Sequence, residues 1–364
     1  MNKFYSGTIR TVLFSVLITT LFVVIPTGHA VSSLQSHLLS EPKGTVVSNL
    51  RQLNDLYQLS IGLHDAGYYK NSIKYAKQVY NESLTHRSLS WGSKVMIANN
   101  LAVLTFRLGE YGEAARLLKQ SLVHIKKHEK SVSLEKQRLL LTVTKNLHEL
   151  YIASGNTLLA ERYLLAISKI ERKKYSADHP IMVHQRFQEI NLEFQKSNFD
   201  YARKLLISHW HQLPIGKLYN EARSETNLLS AKIYIQHGEF DKALIKLNKA
   251  LDWQQHIDSE LNANIYKQLS YVSYKKRQGD KFPVQSLRYH QQRMDILNRL
   301  YGALHPRIAQ ALSDYASVTG HWTPEAKALV IDIYTQCLGS NHPRTRKINR
   351  VLLKQRSSNK QVAL

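Results

Sequence analysis

One cysteine, Cys337, is all this 364-residue chain carries. No internal disulfide can form, and any folded part must be held by its apolar core. Acidic residues are scarce, at 27 Asp and Glu against 50 Lys and Arg, for a formal charge of +23. Such an excess favours contact with anionic surfaces. Alternating β-branched runs are missing, and the 15 glycines and 8 prolines fall mainly between periodic segments, so strands are not expected. There is also no phosphate-cradling glycine loop, no GxSxG elbow and no nucleophile setting around Cys337. The residues therefore give no reason to expect an enzyme, a cofactor or a metal.

The one long apolar run is Thr11–Ile25, preceded by Lys3 and Arg10 and ended by Pro26. Gly28 and Ala30 occupy the small-residue positions of a signal-peptidase site, so cleavage after Ala30 is expected. The run is shorter than the roughly 20 residues that span hydrocarbon. An uncleaved inner-membrane anchor is the alternative. The leader holds Lys3 and Arg10 and no acid, which leaves +21 on the remainder. Export, with the periplasm as destination and secretion as the other outcome, is the expectation.

What the chain has in abundance is repetition. Gly109 opens GEYGEA, and degenerate copies begin at Gly67, Gly155, Ser197, Gly238, Gly279 and Gly320, spaced 42, 46, 42, 41, 41 and 41 residues apart. The fullest copy is Asn99–Leu122, in which Leu101, Ala102 and Phe106, then Ala114, Leu117, Leu118 and Ser121, recur at helical spacing. A permissive turn residue, an aromatic two later and a small residue five later suit two helices folded against each other. The expected fold is all-α: a continuous solenoid of helix hairpins over residues 45–355, about seven repeats closed by a C-terminal capping helix. Residues 31–44 read as a polar lead and 356–364 as a basic tail.

These residues resemble the tetratricopeptide repeat (TPR) family. Leu101, Ala102, Gly109, Tyr111, Ala114, Leu118 and Ser121 fall on its consensus positions, as do Ala231, Tyr234, Gly238, Phe240, Ala243, Leu247 and Ala250 in the fifth unit. The longer period and the loops Tyr175–Pro180, Tyr301–Pro306 and Leu338–Pro343, each ending in His-Pro, look like the kinesin-light-chain subtype. The resemblance implies a right-handed superhelix that binds proteins or peptides along the first helices of its hairpins. On the second unit the implied contacts are Met96, Asn99, Asn100, Val103, Phe106 and Arg107. On the third they are Thr142, Lys145, Asn146, Glu149 and Ile152. On the fourth they are His184, Phe187, Gln188, Asn191 and Phe194, with Tyr57, Gln58, Ile61 and His64 on the first. Asn100 and Asn146 stand out because an amide can pair both backbone groups of an extended peptide; the same amides could instead satisfy groups between helices.

Histidine invites a metal reading, but each candidate has a plainer one. Pro180, Pro306 and Pro343 suit the first turn of a helix, with Asp178 or Asn341 as expected caps. His148 in HELY is followed four residues on by Ile152, not a second histidine. A second surface is electrostatic: Arg344, Arg346, Lys347, Arg350, Lys354 and Arg356 cluster near the C-terminus without an acid. The partners implied are thus a protein or peptide, with anionic lipid or cell-envelope polysaccharide as the alternative. Nucleic acid is disfavoured because no reader module is visible.

Overall fold

The computed structural model describes residues 50–127, 134–254, 258–276, 284–320 and 322–350. The leader, the polar lead, and the basic residues Lys354 and Arg356 lie outside the described residues. Among the described residues fourteen α-helices pair into seven hairpins, and no strand occurs. The hairpins are α1 Leu50–Asp65 with α2 Tyr69–Thr85, α3 Trp91–Arg107 with α4 Tyr111–Lys127, and α5 Leu134–Ala153 with α6 Thr157–Glu171. They continue with α7 Pro180–Gln195 and α8 Phe199–Gln212, then α9 Asn220–Gln236 and α10 Phe240–Gln254. The last two are α11 Glu260–Lys275 with α12 Val284–Tyr301, and α13 Pro306–Thr319 with α14 Pro324–Cys337. Residues 343–350 are helical as well.

The turn position works as the sequence requires. Gly67, Gly109, Gly155 and Gly238 all have φ between +72° and +83°, the left-handed region that ends a helix cheaply only with glycine. Ser197 holds the same place at φ +64°, the one non-glycine with positive φ among the described residues. Five residues on, Ser72, Ala114, Ala160, Ala202 and Ala243 are completely buried where the two helices cross. Their opposite numbers on the first helices are small in three units: Ser60, Ala102 and Ala231. Ser72 Oγ donates to the Ser60 carbonyl at 2.6 Å, which locks the first crossing. In the third unit the bulkier His148 takes this place, and its Nδ1 lies 2.9 Å from the Ala160 carbonyl oxygen. Burial pushes the His148 pKa down. It is a packing histidine.

Curvature follows from which helices touch. Successive first helices pack on one another, α3 on α5, α7 on α9, α9 on α11 and α11 on α13, and no successive pair of second helices packs to that extent among the described residues. First helices therefore occupy the inner side of the curve. The curve is tight enough that α14, in the seventh unit, packs against α2, in the first. Tyr68 and Tyr69 cover a cluster formed by Ile308, Ile333, Tyr334, Cys337, Leu338 and Ile348, so the two ends of the stack share one core.

Candidate binding face of the first helices

The His-Pro loops show what joins the ends. His179, His305 and His342 each turn Nδ1 onto the backbone N–H two residues later, at 3.2, 3.1 and 3.2 Å. The histidine itself supplies the capping acceptor, with proline following at the start of the helix. Asp178 and Asn341, the caps expected from the sequence, are not used this way: Asp178 accepts instead from Ser176 Oγ at 2.6 Å. An imidazole nitrogen lies about as far from its own backbone as an Asx oxygen does, so it fills the same role.

Two of these histidines have a second duty. The His305 ring lies edge-on to Tyr69 at 6.3 Å and stacks on Tyr301 at 4.6 Å. Its Cδ2 presses on the turn at Gly67, while His342 Nε2 and Pro343 lie over the turn at Gly109. Lys70 runs beside Gly339. Polar groups frame this joint. Arg307 pairs with Glu260 at 3.0 Å, and Tyr301 Oη donates to the same carboxylate at 2.5 Å. Burial, reinforced by the Arg307 charge, holds His305 down at about 4; burial and Arg344 do the same to His342, also to about 4. Both rings are neutral near pH 7.

The expected ligand contacts divide into covered and open side chains. Asn99, Asn100, Val103 and Phe187 are buried. Asn146 Nδ2 donates to Asn99 Oδ1 at 2.7 Å, Asn99 Nδ2 points to Asn100 Oδ1 at 3.4 Å, and Asn100 Nδ2 bonds Tyr57 Oη. The result is an amide ladder across α1, α3 and α5. The departure from expectation has a simple cause. On the inside of a tight curve the first helices close on each other, and side chains at their contact are covered. The Tyr57 hydroxyl at the end of the ladder is pushed up to about 12 by burial.

Lys145 is also committed, pairing with the buried Glu171 at 2.7 Å. Arg107 is exposed, and its charge reaches Tyr69 and His305, which places it beside the joint. Glu149 is exposed, and Phe106, Gln188 and Asn191 are half-buried. Gln188 Nε2 lies 3.0 Å from His184 Nε2. These open residues, with Asn146 at the edge of the ladder, are what the inner face offers. Among the described residues no group of three His, Cys, Asp or Glu side chains could hold a metal ion, and no helix is long and apolar enough to cross a membrane.

No protein-family model and no curated protein matches the chain. Solved structures do. The chain is similar to the nearly identical TPR-like repeats of a Podospora anserina kinesin light chain (19% identity, 57% of this chain and 97% of that one, TM-score 0.45). It is also similar to a tetratricopeptide repeat protein from Parabacteroides merdae (13% identity, 83% and 99%, TM-score 0.40). A third is the Rap conjugation gene regulator of plasmid pLS20 solved with the Phr* peptide (11% identity, 90% and 87%, TM-score 0.47). Each likeness is one of helical-repeat architecture.

Two features escaped the sequence. The meeting of the first and last units is one, because it depends on accumulated curvature, which no single repeat encodes. The signal that could have shown it is the pairing of His-Pro at 305–306 and 342–343 with glycine at 67 and 109. The second is the histidine cap, whose signal was the position of each histidine directly before a helix-starting proline.

Proposed function

We propose that this chain is a non-enzymatic TPR-like scaffold that holds a protein or peptide segment along the inner face of its first helices. The observation that carries it is the division of labour on that face. An amide ladder fixes α1, α3 and α5 relative to one another and the Lys145–Glu171 pair ties α5 to α6, while Arg107 and Glu149 are exposed and Gln188 and Asn191 partly open. A rigid row of mixed polar side chains can recognise an extended chain at little ordering cost. The test is affinity capture with the chain from residue 31 onward, repeated with Glu149→Ala, Gln188→Ala and Asn191→Ala combined. Partners lost in the variant support the reading. An unchanged partner set would sink it.

The same proposal places the protein outside the cytoplasm, on the strength of the basic start, apolar run and small-residue site of the first thirty residues. Cell fractionation, with the N-terminus of the recovered chain sequenced, separates a periplasmic form, a secreted form acting on other cells, and an anchored one. A role in assembling an envelope or secretion complex follows only if the captured partners belong there.

A second reading has its own observation. The helical run 343–350 buries Thr345 and Ile348 against the end of the core and exposes Arg344, Arg346, Lys347 and Arg350. Such a one-sided basic helix suits docking on anionic lipid or cell-envelope polymer. Sedimentation with anionic vesicles, with and without residues 344–364, decides it. Binding that survives high salt would exclude the electrostatic mechanism.

A further inference from the structure

The seam between the fourth and fifth hairpins is filled differently from the one at the second unit. Eight residues before the turn glycine stands Leu101 in the second unit but Ser230 in the fifth; twelve before stands Ile97 in one and Thr226 in the other. Leu101 is core. The two hydroxyls of the fifth unit turn back on their own helix instead of bridging the seam. Thr226 Oγ1 donates to the Ala222 carbonyl at 2.6 Å and Ser230 Oγ to the Thr226 carbonyl at 2.9 Å. Missing aliphatic volume is therefore left as space. A cavity of about 220 Å³ lies between α8, α9 and α10. That is enough for several waters at roughly 30 Å³ each, or for one ring-sized organic molecule.

The lining has a definite chemical character. Leu206, Ile207 and Ile233 give apolar wall, and Trp210 and Tyr234 give ring faces. Its charged members, Arg203 and Lys246, are cations, and no carboxylate lines the cavity. The Arg203 guanidinium lies over the Tyr234 ring at 5.1 Å, an arrangement that leaves its edge donors free to point elsewhere. Glu239, the acid that senses Arg203, is already paired with Lys242. Lys246 is half-buried and has no ion-pair partner among the described residues. Burial, with the like charge of Lys249, holds its ammonium below the usual lysine range. Trp210 is fixed from behind: Arg223 sits between the Trp210 and Trp253 rings, 5.1 Å from each, and donates to the Leu213 and Pro214 carbonyls.

We propose that this seam cavity binds a small organic carboxylate with an aromatic or branched apolar body. The carboxylate meets Lys246 and Arg203, and the body lies against Trp210, Tyr234 and Ile233. A monoanion is favoured over a phosphate because the walls are largely apolar, and a doubly charged head loses more hydration on entry. The carboxylate could belong to a free acid or to the C-terminal residue of a peptide, since both present the same head and body. The cavity is lined by α8, α9 and α10 and shares no residue with Arg107, Glu149, Gln188 and Asn191, so this site stands or falls independently of the scaffold proposed above.

Calorimetric titration of the chain from residue 31 onward tests it with 3-phenylpropionate, its uncharged amide, and N-acetyl-Ala-Phe with a free or amidated C-terminus. Saturable binding of at least one carboxylate is expected, with its amide at least about tenfold weaker, as loss of one charge-assisted contact implies. Lys246→Met, which keeps the stem, should weaken the acid by a similar factor. Ser230→Leu, which installs the residue the second unit carries, should abolish binding. Preference for the free acid or for the peptide identifies the source. Equal binding of acid and amide, or binding unaffected by both substitutions, overturns the proposal. So does a Ser230→Leu protein that melts higher while the parent binds no probe at millimolar concentration, which would make the cavity a packing gap.

Discussion

Gly67 is the surface on which His305 closes. A Cβ built on Gly67 would stand 2.4 Å from the His305 Cδ2 and 2.6 Å from Pro306 Cδ. The first turn of the chain and the start of its thirteenth helix thus fit only because one of them has no side chain.

Gly67→Ala should therefore cost more than an ordinary turn substitution. Gly155 provides the control, with φ +77° against +83° and nothing within 4 Å of its added Cβ. Both substitutions pay about 1–2 kcal/mol for a left-handed alanine. Only Gly67→Ala also meets the imidazole and the proline ring, which adds an overpacking cost of roughly 1–3 kcal/mol or drives the joint apart. Denaturant unfolding should rank Gly67→Ala below Gly155→Ala, and small-angle scattering should show a larger radius for Gly67→Ala alone. Equal stability and equal radius would mean that the joint contributes nothing in solution.

The joint should also be sensitive to acid. His305 and His342 sit at about 4 in the fold, against about 6.5 for an unfolded histidine. As pH falls below about 6.5 the unfolded chain takes up these protons first, so the stability present above that value is lost progressively down to about 4. The loss is on the order of 3 kcal/mol per histidine at the acid end. His305 faces Arg307, Glu260, His64 and Arg107, and His342 faces Arg344 and Arg346, so added positive charge finds mostly like charge. His305→Asn with His342→Asn keeps a capping acceptor but removes the titration. Unfolding free energies at pH 7 and pH 4.5 should differ less for this pair than for the parent. An unchanged pH dependence would place the titrating groups elsewhere, with the buried His209 and His290 the next to examine.

The amide ladder separates folding from binding. Asn99→Ala leaves Asn146 Nδ2 without its acceptor and Asn100 Oδ1 without its donor, the second of them buried and the first half-buried. A cost of about 1–3 kcal/mol follows from stranding buried polar atoms. Gln188→Ala, on the open part of the same face, should stay within about 0.5 kcal/mol. Thermal unfolding ranks the two. Partner capture should show the opposite order per folded molecule, with Gln188→Ala affected more.

Much of this fold was legible because its rules are local. A left-handed turn residue and a small residue five positions later recur wherever two helices must cross, as at Gly109 with Ala114 and Gly238 with Ala243. The binding face was harder to read. Asn99, Asn100 and Gln188 are all amides on first helices, yet only Gln188 is left partly open. Which of them is covered depends on how closely neighbouring units approach, and that is fixed by curvature summed over the stack. The same summation hid the contact of Gly67 with His305, which are separated by most of the chain.

Lys145 and Glu171 make the sharpest test of whether a side chain on this face serves structure. Glu171 is 2% exposed and Lys145 about a third exposed, so the carboxylate has given up its water and the ammonium has not. Removing the cation should cost far more than the pair is worth, because it strands a buried charge. Lys145→Met is expected to lose about 3–5 kcal/mol. Glu171→Gln should lose less, since the ammonium it leaves unpaired is partly hydrated. The double variant should recover most of the Lys145→Met loss, giving a coupling energy of more than about 1 kcal/mol in a double-mutant cycle measured by denaturant unfolding. Additive losses would mean that the ion pair does not persist in solution, and would return Lys145 to the residues free to meet a ligand.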